Sequence, residues 1–303
     1  MKARSKSGRR AALLYALLLA LPRAASAAEV GQYIPGLVGL KSAPSPPPGF
    51  YYANLTLSYQ FGQINDPSGK PQPFDGDINI LGNVSSFIWS TPAKILGARY
   101  GVQVNVPFTN RAYLLDPSAG DQFGKTGIAD VYVQPLTLGW KNADNHLNVR
   151  YGFFAPTGRF KSDGLTNTGK GFWTHMIGVG DTQFFGPNKE WNASAMLRYE
   201  IHTKKQGIDL KPGQNAVLEW GLGRTFAKVF DVGVVGASTW QVTAEKGMDG
   251  DSQFDYSAHG IGGEVQYAIP KARLSLRLRA IADVAARDRA QGRLIAFMLV
   301  WKP

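Results

Sequence analysis

The stretch "RLSLRLRAIAD", residues 273 to 283, sets Arg273, Arg277, Arg279 and Asp283 on one parity and Leu274, Leu276 and Leu278 on the other. Charge that recurs with period two lies on one face of an extended strand. Arg99, Asp130, Arg150, Arg198, Glu200, Glu219 and Glu264 are further charges on the face opposite the apolar one. Acids and bases facing one another from neighbouring strands can do two things. They can form a charged constriction that selects solutes, or a structural ion-pair network filling an interior in which every charge needs a partner. The sequence leaves both open.

A second chemistry would need a nucleophile. Ser238 and His259 share the apolar parity of adjacent stretches, and an imidazole can activate a hydroxyl for lipid hydrolysis. No carboxylate or amide is placed to orient that ring. Histidines occur at 146, 175, 202 and 259, with no pair at metal-ligand spacing, so no metal is expected. The glycines of "GLGRTF" and "GVGDTQFFG" precede no helix and make no phosphate loop, so no cofactor is expected.

The elements that would carry these residues are strands. In "FYYANLTLSYQF" the odd positions from Tyr51 to Phe61 are apolar or aromatic, while Asn54, Thr56, Ser58 and Gln60 intervene. "HLNVRYGFFA" and "WNASAMLRYEIH" alternate in the same way. Twelve such segments are expected, at 50–61, 78–89, 95–106, 128–140, 146–155, 172–184, 190–203, 213–225, 230–243, 256–268, 272–284 and 291–301. They are longer than ordinary globular strands of about 5–6 residues and suit tilted membrane crossings. Long polar connections at 62–77, 107–127, 156–171, 204–212 and 244–255 alternate with the short turns "STPAK", "KNADN", "FGPNK", "AKVF" and "PK". The last connection, 285–290, is short. Long loops outside and short turns on the periplasmic side characterise an outer-membrane barrel. Lipid offers no hydrogen-bond partners, so the sheet must close. The expected fold is therefore all-β, a transmembrane antiparallel up-and-down β-barrel of about twelve strands.

The chain begins with a basic stretch to Arg10, an apolar run from Ala11 to Leu21 and a small-residue site at Ala25-Ser26-Ala27. This is the layout of a secretory signal peptide, expected over residues 1–27. It carries six of the 33 Lys and Arg and none of the 22 acids, which leaves 27 bases against 22 acids, or +5, in the mature chain. That excess is too small to argue for nucleic acid. Cysteine is absent, so an exported chain must cohere by burial and hydrogen bonding alone. Residues 28–49, with "SAPSPPPG", show no strand pattern and are expected as an extended periplasmic segment, or as a plug folded into the lumen. The barrel is assigned to 50–303.

With apolar faces turned to lipid, Leu55, Val149 and Leu276 should lie on the outside and the charged residues in the lumen. Phe153, Phe154, Phe172 and Trp173 bracket the polar loop between them and are expected at the membrane edge, as are Trp89, Trp140, Trp191, Trp220, Trp240 and Trp301. Pro135 interrupts the fourth strand, and the apolar parity changes from Val131 and Val133 to Leu136 and Leu138. A bulge is expected there, and a lateral opening, if the wall has one, belongs at the missing N–H.

Several stretches together resemble an outer-membrane family named for the meta-pathway of phenol degradation. They are "PPGFYYANLTLSYQFG" (47–62), "GIADVYVQPLTLGW" (127–140), "FFAPTGRF" (153–160) with "NTGKGFW" (167–173), "VGVVGASTWQVT" (232–243) and "GIGGEVQYAI" (260–269). The loop motif Pro156, Thr157, Gly158, then Asn167, Gly169, Gly171 and Trp173, is its most specific part. The resemblance implies passage of small hydrophobic or aromatic, phenol-like compounds across the bacterial outer membrane. The implied partners are outer-membrane lipid, such solutes and the outer-membrane assembly machinery. The expectation is thus a passive channel and not an enzyme. Two rivals stand beside it: an outer-membrane lipase using Ser238 and His259, and a structural or adhesive barrel without transport.

Overall fold

The computed structural model describes residues 31–73, 77–115, 122–123, 126–162, 167–247 and 256–303. The expected leader, residues 1–27, lies outside the described residues. Twelve long strands make the wall: β1 (Gly49–Asn65), β2 (Asp77–Ile95), β3 (Ala98–Leu115), β4 (Val131–Lys141), β5 (Asn145–Ala155) and β6 (Thr174–Phe185), then β7 (Trp191–His202), β8 (Asn215–Phe226), β9 (Phe230–Gln241), β10 (Ser257–Ile269), β11 (Leu274–Arg287) and β12 (Arg289–Trp301). Each pairs antiparallel with its successor. β12 returns to β1, from Tyr52 opposite Trp301 to Asn65 opposite Arg289. The wall therefore has no edge, and its backbone groups are paired within the sheet, as a hydrocarbon surround demands.

Local chemistry explains where the strands turn. The stretch "STPAK" is not a turn. β2 absorbs it through a register shift between Ser90 and Lys94 and runs on to Ile95. The chain reverses instead at Leu96 and Gly97, both with positive φ, 50° and 77°. Two such residues suit the tight hairpin geometry that matches strand twist. The connection expected at 285–290 contracts to Asp288, at φ 50°. At Pro135 the expected bulge is present, with register shifts against both neighbouring strands. The Tyr100 hydroxyl donates to the Pro135 carbonyl across it at 2.8 Å.

The faces follow the expected pattern over most of the girth. Ile177, Val179, Leu197, Leu222, Val234, Leu278 and Phe297 are exposed on the outside, while Asn148, Arg198, Glu219 and Arg279 are buried within. Val149 and Leu276 share the outward parity of Leu147 and Leu278.

β1 reverses the expectation. Leu55, only 6% exposed, packs inward with Leu57, Leu294 and Ala296. Its polar neighbours share the outer face with Phe87, which is 55% exposed. There Asn54 and Asn83 exchange amide hydrogen bonds at 3.0 and 2.8 Å, and Asn83 also donates to Thr56 at 3.0 Å. The Tyr52 and Ser85 hydroxyls complete this ladder at 3.1 Å. Polar groups facing lipid are tolerable when they satisfy one another. The reason for the reversal lies inside, where Ile34 and Leu37 of the N-terminal segment pack on the same cluster. An apolar filler calls for an apolar wall.

Candidate functional site: the lumen and the segment threaded through it

Residues 31–49 run through the barrel rather than beneath it. From β1 at the short-turn end, the Pro46 carbonyl accepts from Arg99 Nη1 at 2.9 Å, the Ser42 carbonyl from Arg150 Nη2 at 2.9 Å, and the Ala43 carbonyl from Asn148 at 2.8 Å. Higher up, Leu40 is buried against Val235 and Ile281. At the long-loop end, Gly31 N donates to the Tyr256 hydroxyl at 2.9 Å. The segment crosses the lumen from end to end, hydrogen-bonded by its backbone to groups on the wall.

Three buried carboxylates hold it. Glu200 accepts from the backbone N–H of Gln32 at 3.0 Å and of Tyr33 at 2.9 Å. Glu219 accepts from Gly36 N at 3.0 Å, Val38 N at 2.8 Å and the Tyr33 hydroxyl at 2.9 Å, and is ion-paired with Arg198. The Arg198 guanidinium also stacks on the Tyr33 ring, 4.3 Å from its centroid. Glu264 takes Arg279 at 2.5 Å and Arg277 at 3.1 Å, while Arg279 Nη1 reaches the Gly36 carbonyl at 2.7 Å. Such pairs are tolerable when buried because Glu219 and Glu264 each meet a guanidinium, and Glu200 and Glu219 accept from the segment's own N–H groups. The close approach leaves no room for side chains on the wall: a Cβ on Gly221 would stand 3.0 Å from the Gly39 carbonyl carbon and Leu40 N.

Asp283 lies further up the same interior, accepting from Gly292 N at 3.0 Å. Arg273 does not join the lumen. It is exposed in the turn after Pro270–Ala272, at φ 51°, and Nη1 donates to the Pro303 carbonyl at 3.3 Å. Its odd parity belongs to β11 only once the strand has begun at Leu274.

The loop motif gathers around Asp130. Its carboxylate, pushed above its ordinary pKa by burial, accepts from Gly158 N at 2.9 Å and Lys170 N at 2.8 Å. Thr157 ties Val131 N and the Ala129 carbonyl, at 2.9 and 3.1 Å. Asn167 closes the loop on the Lys161 backbone at 2.9 and 2.8 Å. Gly171, at φ +75°, carries the chain over Phe160, where any Cβ would be 2.4 Å from the ring. Of the four aromatics expected at the membrane edge, Phe153 and Trp173 meet outside, their centroids 5.8 Å apart. Phe154 turns inward against Tyr132, and Phe172, 1% exposed, packs edge-on against His202. Trp220 stands mid-strand, not at the rim.

Two cavities lie beside the threaded segment. The larger, about 310 Å³, has an apolar wall of Leu55, Leu57, Val84 and Met298, with Ile34 and Leu37 of the segment facing it. The smaller, about 170 Å³, lies toward the short turns, between Pro44–Pro46 and the wall at Ile88, Arg99 and Tyr100. A lumen plug was one of the two readings open for residues 28–49, but the segment's individual contact residues were not singled out. The run "YIPGLVGLK", residues 33 to 41, was the available signal, because a periplasmic tail has little reason to carry so much apolar surface.

A closed twelve-stranded barrel with an apolar belt and a lumen crossed by its own N-terminal chain defines an outer-membrane β-barrel protein. The chain belongs to the family described as "Putative MetA-pathway of phenol degradation", whose profile matches residues 56–299. Among solved structures it is similar to the COG4313 outer membrane channel from Pseudomonas putida F1, at 12% identity and a TM-score of 0.77, covering 89% of this chain and 99% of that one. Looser overlays include the β domain of the Bordetella autotransporter BrkA, at 15% identity and TM-score 0.48, covering 85% and 100%. Another is the Ralstonia pickettii toluene transporter TbuX, at 10% identity and 0.39, covering 85% and 90%. The first likeness shows the shared fold. A search of curated proteins gave no match.

Proposed function

We propose that the protein is a passive conduit for small hydrophobic or aromatic compounds across the outer membrane. The observation that carries this is the apolar-walled cavity of about 310 Å³ beside the threaded segment, at the lower end of the range of about 300–1,000 Å³ typical of small-molecule sites. A general pore for sugars would need a wet, polar lumen, whereas here Leu55, Leu57, Val84 and Met298 face inward. The family's association with phenol degradation supports an aromatic solute class. Flux follows the concentration gradient.

The test is uptake into liposomes whose outer leaflet is lipopolysaccharide, comparing phenol-like, alkane and sugar solutes. Entry of phenol-like solutes ahead of sugars is expected. Entry of sugars alone would defeat the reading.

One observation favours a lipid hydrolase instead: His259 Nδ1 and Ser238 Oγ are 3.0 Å apart. Among the described residues, however, no carboxylate or amide hydrogen-bonds to the His259 ring, which lies edge-on against Trp240 at 5.4 Å. Lipid hydrolysis by the purified protein, abolished in Ser238→Ala, would install that reading in its place.

A further inference from the structure

The charges along the lumen do not cancel, and the imbalance is local. Four charged side chains line the larger cavity: Asp130, Arg150, Lys170 and Arg198. Arg198 is matched by Glu219, and Asp130 sits against the Lys170 backbone. Arg150 is different. Its Nη2 donates to the Ser42 carbonyl, its buried Nε has no partner, and among the described residues no carboxylate forms an ion pair with it. Arg99 repeats the pattern below, with the Pro46 carbonyl as its acceptor and no acid within ion-pairing distance among the described residues. A carbonyl satisfies an N–H but leaves a full charge uncompensated, which is costly away from bulk water.

The positions of the two arginines matter as much as their charge. Arg150, Gln103 and Gln134 line both cavities, so they stand between them, where a neck would have to open. Arg99 lines the smaller cavity, whose lining includes no carboxylate among the described residues. One unmatched cation therefore stands between the cavities and another below it, while Leu55, Leu57, Val84 and Met298 give the larger cavity one apolar wall.

We propose that the two cavities form one route for small aromatic carboxylates. The ring lies against Leu55, Leu57 and Val84, the carboxylate meets Arg150 at the neck, and Arg99 receives it in the lower cavity. Guanidinium groups suit planar carboxylates, and two modest sites in series let an ion move on where a single tight site would hold it. This rests on the conduit reading and narrows its substrate class.

The test uses full-length purified protein and benzoate, benzyl alcohol and benzylamine at pH 8. Calorimetry reads binding, and planar bilayers read the permeability of benzoate relative to benzylammonium. Benzoate is expected to bind most tightly and permeate most readily. Arg150→Gln should weaken its binding about 10- to 100-fold, the worth of one charge-assisted hydrogen bond. Arg99→Gln should slow permeation with less effect on binding, and Arg273→Gln, in the exposed turn, should change neither. Folding of each variant is checked by its heat-dependent mobility on gels, and the three-ligand comparison on the unaltered protein needs no variant.

Equal binding of the three ligands, or retention of benzoate preference in folded Arg150→Gln, would overturn the proposal. If phenol-like solutes cross without a carboxylate preference, this inference falls and the conduit stands. If benzoate binds through Arg150 yet nothing crosses, the site stands and the conduit falls.

Discussion

Glu219→Gln isolates what the carboxylate charge contributes to seating the threaded segment. The substitution keeps the acceptor oxygen and the shape but removes the charge that Tyr33 Oη, Gly36 N and Val38 N approach at 2.9, 3.0 and 2.8 Å. A hydrogen bond to a charged group is worth about 1.5–3 kcal/mol, against about 0.5–1.5 for a neutral one. Three bonds on one carboxylate are not independent, so roughly 3 kcal/mol is the loss to expect. Arg198 pairs with Glu219 from the wall, so its loss of partner is common to the seated and detached states and cancels. At about 1.4 kcal/mol per decade, the detached population should rise roughly a hundredfold. The assay is direct because the chain contains no cysteine. Leu40→Cys places one thiol where the native side chain is 1% exposed, and its maleimide labelling rate tracks the detached fraction when reseating outpaces reaction. Equal labelling rates with and without Glu219→Gln would refute the claim that this charge holds the segment.

Arg198→Met should leave Glu219 buried without its cation and cost about 3–5 kcal/mol, read as a lower temperature for loss of the compact gel form. Asn54→Leu should cost about 1–3 kcal/mol by stranding Asn83 in lipid, whereas Asn54→Leu with Asn83→Leu should recover most of it; additive losses would show that the two amides act separately. Gly221→Val should push the segment off the wall and raise Leu40→Cys labelling, because a Cβ already meets Gly39 and Leu40 at 3.0 Å. Gly171→Ala should loosen the loop over Phe160 by at least about 1 kcal/mol, seen as faster proteolysis within 156–171.

The barrel was legible because membrane strands announce themselves by parity, and in β5 and in β7 to β11 one face meets lipid and the other carries charge. Val149 against Arg150 and Leu278 against Arg279 needed no further information. Parity tells which residues share a face, not which face is inside. That orientation came from assuming a wet lumen, and it failed at Leu55 because the lumen there is filled by Ile34 and Leu37. The apolar run of the filler was legible, but its anchoring was not: backbone N–H groups and carbonyls meet Glu200, Glu219 and Arg150, and a backbone has no sequence signature. Arg273 was misplaced because a strand boundary lies one residue away. The aromatic bracket was half right: Phe153 and Phe154 are neighbours in a strand and must point opposite ways, while Phe172 packs inside and Trp173 outside just before the next strand begins at Thr174.

The cluster that Ile34 and Leu37 cover has a position with consequences for biogenesis. Leu55 and Leu57 come from the first strand and Leu294 and Ala296 from the last, so the cluster straddles the seam where the cylinder zips shut. The earliest residues of the described chain thus act as the clasp for its latest, and a cylinder zipped without them would present a greasy inner seam to water. The seam's inner face is fully covered only when the final strand and the threaded segment are both in place.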